Sequence, residues 1–582
     1  MPPTATRYYG RSVTSLRSVF RSSEGALIVL SVGVGIVAGL LTILLHETAH
    51  SLQSLLYGFQ GNSLSASSSV APLRLIALPI GGLILGLGSR VAVRRWRTPV
   101  DIVEANALHG GVIPWRDSVL VCAQTLASNG TGASVGLEAA YGQAGGGFAS
   151  LVGDWLRLRR ADLRTLVGAG AGAAIGAAFS APLAGAFYGF EIVLGAYTPA
   201  AIAPVGAACI SAVLLVRVLG FPAYVTALPG ARAITGTDYL LYAFLGIACA
   251  AIAIAIMRAV TWIEATVRAS PVPDAVRPLV GGLALIPLAL ITPQALSSGH
   301  GALHIDLGAT VVLRFLVLVL LVKIAASSIS LGFGFRGGLF FASLFIGTLV
   351  GQLFAGALSY VPDLPQLDPS DAALIGMAAM GVAIVGGPMT MSMLVLETTH
   401  DFALTGVAVV AGLCASTVVR ETFGFSFSTW RLHTRGENIR SARDVGWVRN
   451  LTAGKMMQQS PDSVAATTSV AEFRRRFPLG STGRVAVVDE TARYVGLVDT
   501  VRAFDPSLDE NAEIGRLAAS DDPTLRPADD VRAVMTAFDA SDAPYLAVTD
   551  DDGALLGTLS ERFVHRRYTE EVEKAQRETF GE

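Results

Sequence analysis

Charge is scarce in this sequence. Only 15% of its residues are Asp, Glu, Lys or Arg, against about a quarter in ordinary soluble domains, while 52% are hydrophobic. A chain of 582 residues with that imbalance is not a purely soluble protein; it reads as a polytopic membrane protein with a soluble part. The formal net charge is −2, so there is no basic excess for a nucleic-acid partner. Cysteine is scarcer still. Cys122, Cys209, Cys249 and Cys414 lie apart in apolar runs with no metal or redox spacing, which reads as small buried hydrophobes. A cleavable leader is also missing, because the first apolar run, Ala26 to Leu45, is too long for one. Arg7, Arg11, Arg17 and Arg21 precede that run and place the N-terminus on the cytoplasmic side.

What the chain has in quantity is apolar runs, near 26–45, 75–93, 165–194, 200–219, 239–260, 278–292, 309–329, 338–359, 372–396 and 403–419. Several are shorter than a span or broken by Gly and Pro. Irregular backbone at membrane depth is tolerated where it lines a protein-walled site for an ion or substrate. The clearest break is Ser128 to Gly147, SNGTGASVGLEAAYGQAGGG, with one acid, Glu138, inside it. A carboxylate at that depth costs about 2.5–3.5 kcal/mol on insertion scales, so Glu138 is a functional candidate by default. The glycines before it, Gly130, Gly132 and Gly136, suit unwound backbone, and a helix restarting from Ala139 would offer free N–H groups and a positive dipole end to an anion. The plainer alternative is a Gly/Ala helix-packing face.

The pattern recurs. PLAGAFYGFE (Pro182–Glu191) and PMTMSMLVLE (Pro388–Glu397) stand 206 residues apart, each downstream of a Gly-rich break, 130–147 and 332–338. Matching interrupted segments in two halves are the mark of repeat-built transporters. After about residue 436 the composition turns polar, with β-branched runs at Val485–Val488 and Tyr545–Val548 and amphipathic helical patterns at 469–477 and 529–539. This soluble α/β part repeats too. RVAVVDETARYVGLVDTVRAF (484–504) aligns with PYLAVTDDDGALLGTLSERFV (544–564), each a strand, an acidic turn, a strand holding Gly496 or Gly557, and a helix.

On these residues the membrane part resembles the CLC family of chloride channels and proton/chloride exchangers, and the tail resembles a pair of CBS domains. The family's G-K/R-E-G-P motif is matched at Gly136-Leu137-Glu138-Ala139-Ala140, which keeps the glycine and the glutamate. Its G-x-F-x-P motif is matched at Gly338-Leu339-Phe340-Phe341-Ala342, with Ala in place of Pro. Its G-S-G-I-P motif is missing. Its place falls near Arg97-Thr98-Pro99-Val100, where Thr98 is the residue able to supply a hydroxyl. The family's pore tyrosine falls at Phe427, which lacks the O–H donor.

The resemblance implies an all-α polytopic membrane protein, a CLC-like inverted repeat with broken helices, plus a cytoplasmic α/β CBS pair. The expected organisation is a cytoplasmic lead over 1–24, a transmembrane domain over 25–435 with halves at about 25–220 and 237–435, a linker over 436–450, CBS modules over 451–506 and 512–570, and a tail over 571–582. It implies a homodimer in a bacterial inner membrane, with N-terminus and tail cytoplasmic, that passes chloride and other small anions and needs no cofactor.

Gly136, Gly338, Leu339 and Phe340 would present main-chain amides to the anion, and Leu137 and Leu339 would keep a full cation away from it. Glu138 would gate by competing for the same place. Exchangers of the family end their first repeat segment in two acids; here it reads Phe190-Glu191-Ile192, so the proton-relay position is Ile192, which carries no proton. That favours a channel-like, uncoupled mode over a H+/Cl− antiporter. Glu191 and Glu397 have a plainer reading as acids holding helix ends. The nucleotide signature of CBS pairs survives only at Ser560, with Arg502 and Phe563 where its aspartates would be, which favours a dimer-stabilising tail over one that binds an adenine nucleotide.

Two other classes compete. His46-Glu47-Thr48-Ala49-His50 is a literal H-E-x-x-H, the sequence of a zinc protease, but no third ligand is evident. A sensor with a membrane anchor needs far fewer spans than this chain has. His109, His300 and His304 fall in Gly-rich loops, where exposure is the expectation.

Overall fold

The first half of the chain is a series of helices, α1 (Glu24–Tyr57), α2 (Ala77–Arg95), α3 (Ile102–Leu108), α4 (Trp115–Gly130), α5 (Glu138–Leu156), α6 (Arg160–Phe179), α7 (Pro182–Tyr188) and α8 (Pro199–Val218). The second half continues with α9 (Gly236–Ala269), α10 (Arg277–Ile291), α11 (Leu313–Gly332), α12 (Phe340–Leu358), α13 (Pro369–Val385), α14 (Pro388–Thr399), α15 (Phe402–Thr422) and α16 (Phe427–His433). These coordinates are a computed structural model that describes residues 24–433 and 451–570, apart from 60–62, 68, 96–98, 222–233, 304–311, 363, 460, 519–521, 542 and 569. The lead before Glu24, Thr98, His304, the linker 436–450 and the tail 571–582 lie outside the described residues. Seven helices among the described residues are long and apolar enough to cross a membrane, and shorter apolar helices stand at Pro182–Leu194, Arg277–Ile291 and Pro369–Val385.

The two halves are built alike. α5 lies against α6 as α12 lies against α13, and α1 lies against α8 as α9 lies against α15. Where the halves meet, elements touch their own counterparts, α2 with α10 and α7 with α14, as a two-fold axis between repeats requires. The closest crossings are made by glycine. Gly145 of α5 and Gly170 of α6 sit against each other's carbonyl oxygens, and Gly347 of α12 and Gly376 of α13 do the same. A Cβ at any of the four would run into backbone. Close approach of this kind replaces the hydrophobic drive that membrane helices lack. Within Ser128–Gly147, Gly145 thus serves helix packing, while the interruption is confined to 131–137, and α5 starts on Glu138 itself rather than on Ala139.

The chain forms two compact units, Met1–Asp444 and Val445–Glu582. The second holds two three-stranded sheets. One orders β2 (Ser463–Ala465), β3 (Arg484–Val488) and β4 (Tyr494–Asp499), and the other orders β1 (Gln458–Gln459), β6 (Leu555–Ser560) and β5 (Tyr545–Thr549). The amphipathic patterns form helices at Val470–Arg476 and Val531–Ser541.

The acidic turns match. Asp489 Oδ1 accepts from the Thr491 and Arg493 amides, and Asp550 Oδ1 from the Asp552 and Ala554 amides. Hydrogen bonds from the Thr491 hydroxyl and the Arg493 amide hold the Asp489 carboxyl below the usual range. The repeats exchange their ends. Residues 451–459, which sequence order assigns to the first module, supply β1 and Leu451, Ala453 and Met456 to the second core. Ile514, which sequence order assigns to the second, packs with Val485 and Phe473 in the first. Strand pairing and apolar burial, not chain order, set that boundary.

Candidate functional site

The two interruptions of the membrane unit, 131–137 and 333–339, meet face to face. The Gly136 N–H donates to the Gly338 carbonyl at 3.0 Å and the return bond measures 3.4 Å, an antiparallel bridge between the repeats. The bracing around it is reciprocal. The Ser134 N–H donates to Ser330 Oγ on α11 at 3.0 Å, and the Arg336 N–H donates to Ser128 Oγ on α4 at 2.9 Å. Gly132 and Gly334 turn at φ of 91° and 95°, where any side chain would be strained. Behind the first interruption, the Ser297 N–H donates to the Gly132 carbonyl at 3.0 Å, and the fully buried Lys323 donates from Nζ to the Ser297 carbonyl at 2.7 Å.

α5 begins on Glu138 and α12 on Phe340, corresponding residues of the two repeats. Glu138 is 3% exposed. Its carboxylate folds back over Gly136, where a Cβ would collide with it, and Oε2 lies 3.7 Å from where a Cβ on Gly338 would stand. Neither oxygen has a full hydrogen-bond partner among the described residues, although the amides of Glu138 itself and of Phe341 are near enough to act on the charge. The amino ends of α5 and α12 thus converge near a buried carboxylate, and the free N–H groups at a helix start favour negative charge.

A cavity of about 130 Å³ opens beside it. Glu138, Ile192, Gly338, Leu339, Phe340 and Phe427 all line this cavity, and Gly136 is bridged to its wall. Thr98 lies outside the described residues. The acidic side chain that reaches the cavity from that neighbourhood is Asp101, whose Oδ1 caps α3 by accepting from the Val103 N–H at 3.0 Å.

Arg336, Arg431 and Tyr188 also line it. Leu339 lines it as well, and the two arginines reach it from the second interruption and from α16. A basic residue inside a glycine-rich break was the signal available in the sequence for Arg336.

The repeat glutamates do something else. Glu191 accepts from the amides of Met389 and Thr390 at 3.0 and 2.8 Å, from the Thr390 hydroxyl at 2.6 Å and from the Tyr197 hydroxyl at 2.8 Å. Glu397 accepts from the amides of Leu183 and Ala184 at 2.8 and 2.9 Å. Each thus caps the amino end of the other repeat's helix, α14 and α7, which satisfies donors that a helix start leaves open.

His46 and His50 lie on α1 with their rings 6.3 Å apart, edge-on to Phe221 and Phe59 respectively, and no cluster of three metal-binding side chains occurs among the described residues. His300 departs from expectation: it is half-buried, with its ring on that of Phe341 and Nδ1 bonded to the Ser298 hydroxyl. Ser560 Oγ accepts from the Phe563 N–H at 3.3 Å, capping the helix that follows β6.

The profile of the voltage gated chloride channel family matches residues 81–420, more than half of the chain. The chain belongs to this family. As a CLC protein it is a chloride transporter or channel and not an enzyme. A chloride channel protein named as ClcB-like, from Ralstonia nicotianae, is 30% identical over 379 residues, 63% of this chain and 88% of that protein. The voltage-gated ClC-type chloride channel ClcB of Escherichia coli is 25% identical over 387 residues, 64% of this chain and 90% of its own.

Among solved structures, a slow cyanobacterial Cl−/H+ antiporter superposes with a TM-score of 0.61 at 22% identity over 70% of this chain and 97% of that one. A eukaryotic CLC transporter does so with a TM-score of 0.58 at 19% identity over 94% and 98%. Both similarities place the fold.

Proposed function

We propose that this CLC protein passes chloride and other small anions through a pore gated by Glu138, in a channel-like mode without proton coupling. The observation that carries the reading is the contrast between two acids: the half-buried Glu191 is saturated with hydrogen bonds, whereas the buried Glu138 has none of full geometry among the described residues and sits at the amino ends of α5 and α12. Chloride is a weakly hydrated monoanion that a pore must bind loosely enough to release, which partial charges on amides allow. When the carboxylate is charged it fills the anion's place; protonated or swung aside, it admits the anion. Ile192 gives no titratable relay on the cavity wall, and Glu191, beside it, is engaged in capping α14.

By the resemblance, the protein is a homodimer with one pore per subunit in a bacterial inner membrane, its N-terminus and C-terminal unit cytoplasmic. That unit serves the dimer; Ser560, already capping a helix, is the residual position for an adenine nucleotide.

A second reading, the H+/Cl− antiporter, has one observation in its favour: Asp101 is a titratable group on the same cavity wall. Flux from proteoliposomes under a proton gradient separates the two. The expected result is a reversal potential that follows chloride alone; chloride driven uphill by protons would establish the antiporter instead.

A further inference from the structure

Phe427 leaves the cavity without the hydroxyl that the family resemblance puts on α16, yet a hydroxyl lines the same wall from another helix. Tyr188 ends the regular part of α7 and is 9% exposed. Its ring stands edge-on to Phe340, the first residue of α12, with centroids 6.0 Å apart. Its Oη lies 3.8 Å from where a Cβ on Gly142 would stand. Gly142 is one turn along α5 from Glu138, on the same helix face, so the hydroxyl looks onto the face that carries the gating acid. Tyr188, Asp101 and Glu138 all line the same cavity. Among the described residues, no carbonyl or side chain receives its hydrogen at hydrogen-bond distance.

We propose that Tyr188 is the side-chain donor to the transported anion, supplying from α7 the hydrogen bond that Phe427 cannot supply from α16. The proposal rests on the reading above, that chloride takes the place vacated by Glu138. A phenol O–H is neutral, so it adds one directional contact without the tight hold of a cation. The edge-on contact with Phe340 packs the ring against the start of α12, which helps to hold the hydroxyl in place.

The test uses the purified full chain in detergent, with chloride titrated calorimetrically, and reconstituted protein for flux. Tyr188→Phe keeps the ring packing and removes one oxygen; it should weaken chloride binding by about tenfold, the scale of one hydrogen bond to a charged partner. Phe427→Tyr should tighten binding in the parent. In the double variant Tyr188→Phe/Phe427→Tyr, affinity should return to within about threefold of the parent, which a merely structural role for Tyr188 would not produce.

Unchanged affinity in Tyr188→Phe, with Phe427→Tyr folded and active, overturns the assignment while leaving the chloride pathway intact. So does a loss in Tyr188→Phe that Phe427→Tyr fails to restore. A parent protein that neither binds nor passes chloride would instead remove the reading on which the proposal rests.

Discussion

Glu138→Gln should pass chloride at a rate that no longer responds to pH. In the parent protein, acidification from about pH 7.5 to about pH 4.5 should raise flux roughly tenfold or more, because a carboxylate that takes up a proton stops competing with the anion. The sign follows from charge: the ionised acid occupies the seat, so loss of that charge opens it. Asp101, Arg336 and Arg431 face the same cavity, and their charges set where the transition falls without changing its direction. In Glu138→Gln the side chain keeps its volume but is neutral at every pH, so the rate should be high and flat. Stopped-flow or electrode measurements on proteoliposomes at matched protein density read this directly. A variant that retained the parent's pH response would place the gate elsewhere.

Glu191→Ala should damage the fold rather than the proton balance. The carboxylate accepts two amide and two hydroxyl hydrogen bonds and joins α7's extension to the start of α14. Removing it leaves the α14 amides uncapped in a half-buried place, at a cost of about 2–4 kcal/mol. Thermal unfolding followed by fluorescence should show a clearly lowered Tm. The fraction that remains folded should pass chloride with the parent's pH response. Glu191→Gln, which keeps an acceptor, should lose less. The opposite pattern, full stability with transport abolished, would make Glu191 part of the conducting path.

Glu138 was legible in the sequence because an acid among apolar runs is expensive and therefore conspicuous. The paired helix starts were legible through the matching Gly136-Leu137 and Gly338-Leu339. The acidic turns of the C-terminal unit were legible because Asp489 and Asp550 do a purely local job.

What escaped was mostly reciprocal or distant. The brace that holds the seat is written in S-x-G-x-G-x-x-x-G-L, at Ser128–Leu137 and again at Ser330–Leu339, but each serine serves the opposite repeat, so neither copy explains itself. Tyr188 sits in an apolar run and reads as packing until α7 is folded against α5. Asp101 looked like the start of a short helix, and it is one, but its other face is the cavity. The exchange of ends between the C-terminal repeats is set by strand pairing between residues a hundred apart, which local pattern does not carry.

Everything about gating depends on a halide and the Glu138 side chain sharing one position between the two interruptions. Anomalous diffraction from bromide-soaked crystals of Glu138→Ala tests this most directly. The expected result is a bromide peak where the carboxylate lay, within hydrogen-bond reach of the amides at the starts of α5 and α12. Bromide ordered only elsewhere, with that position empty in the variant, would contradict it.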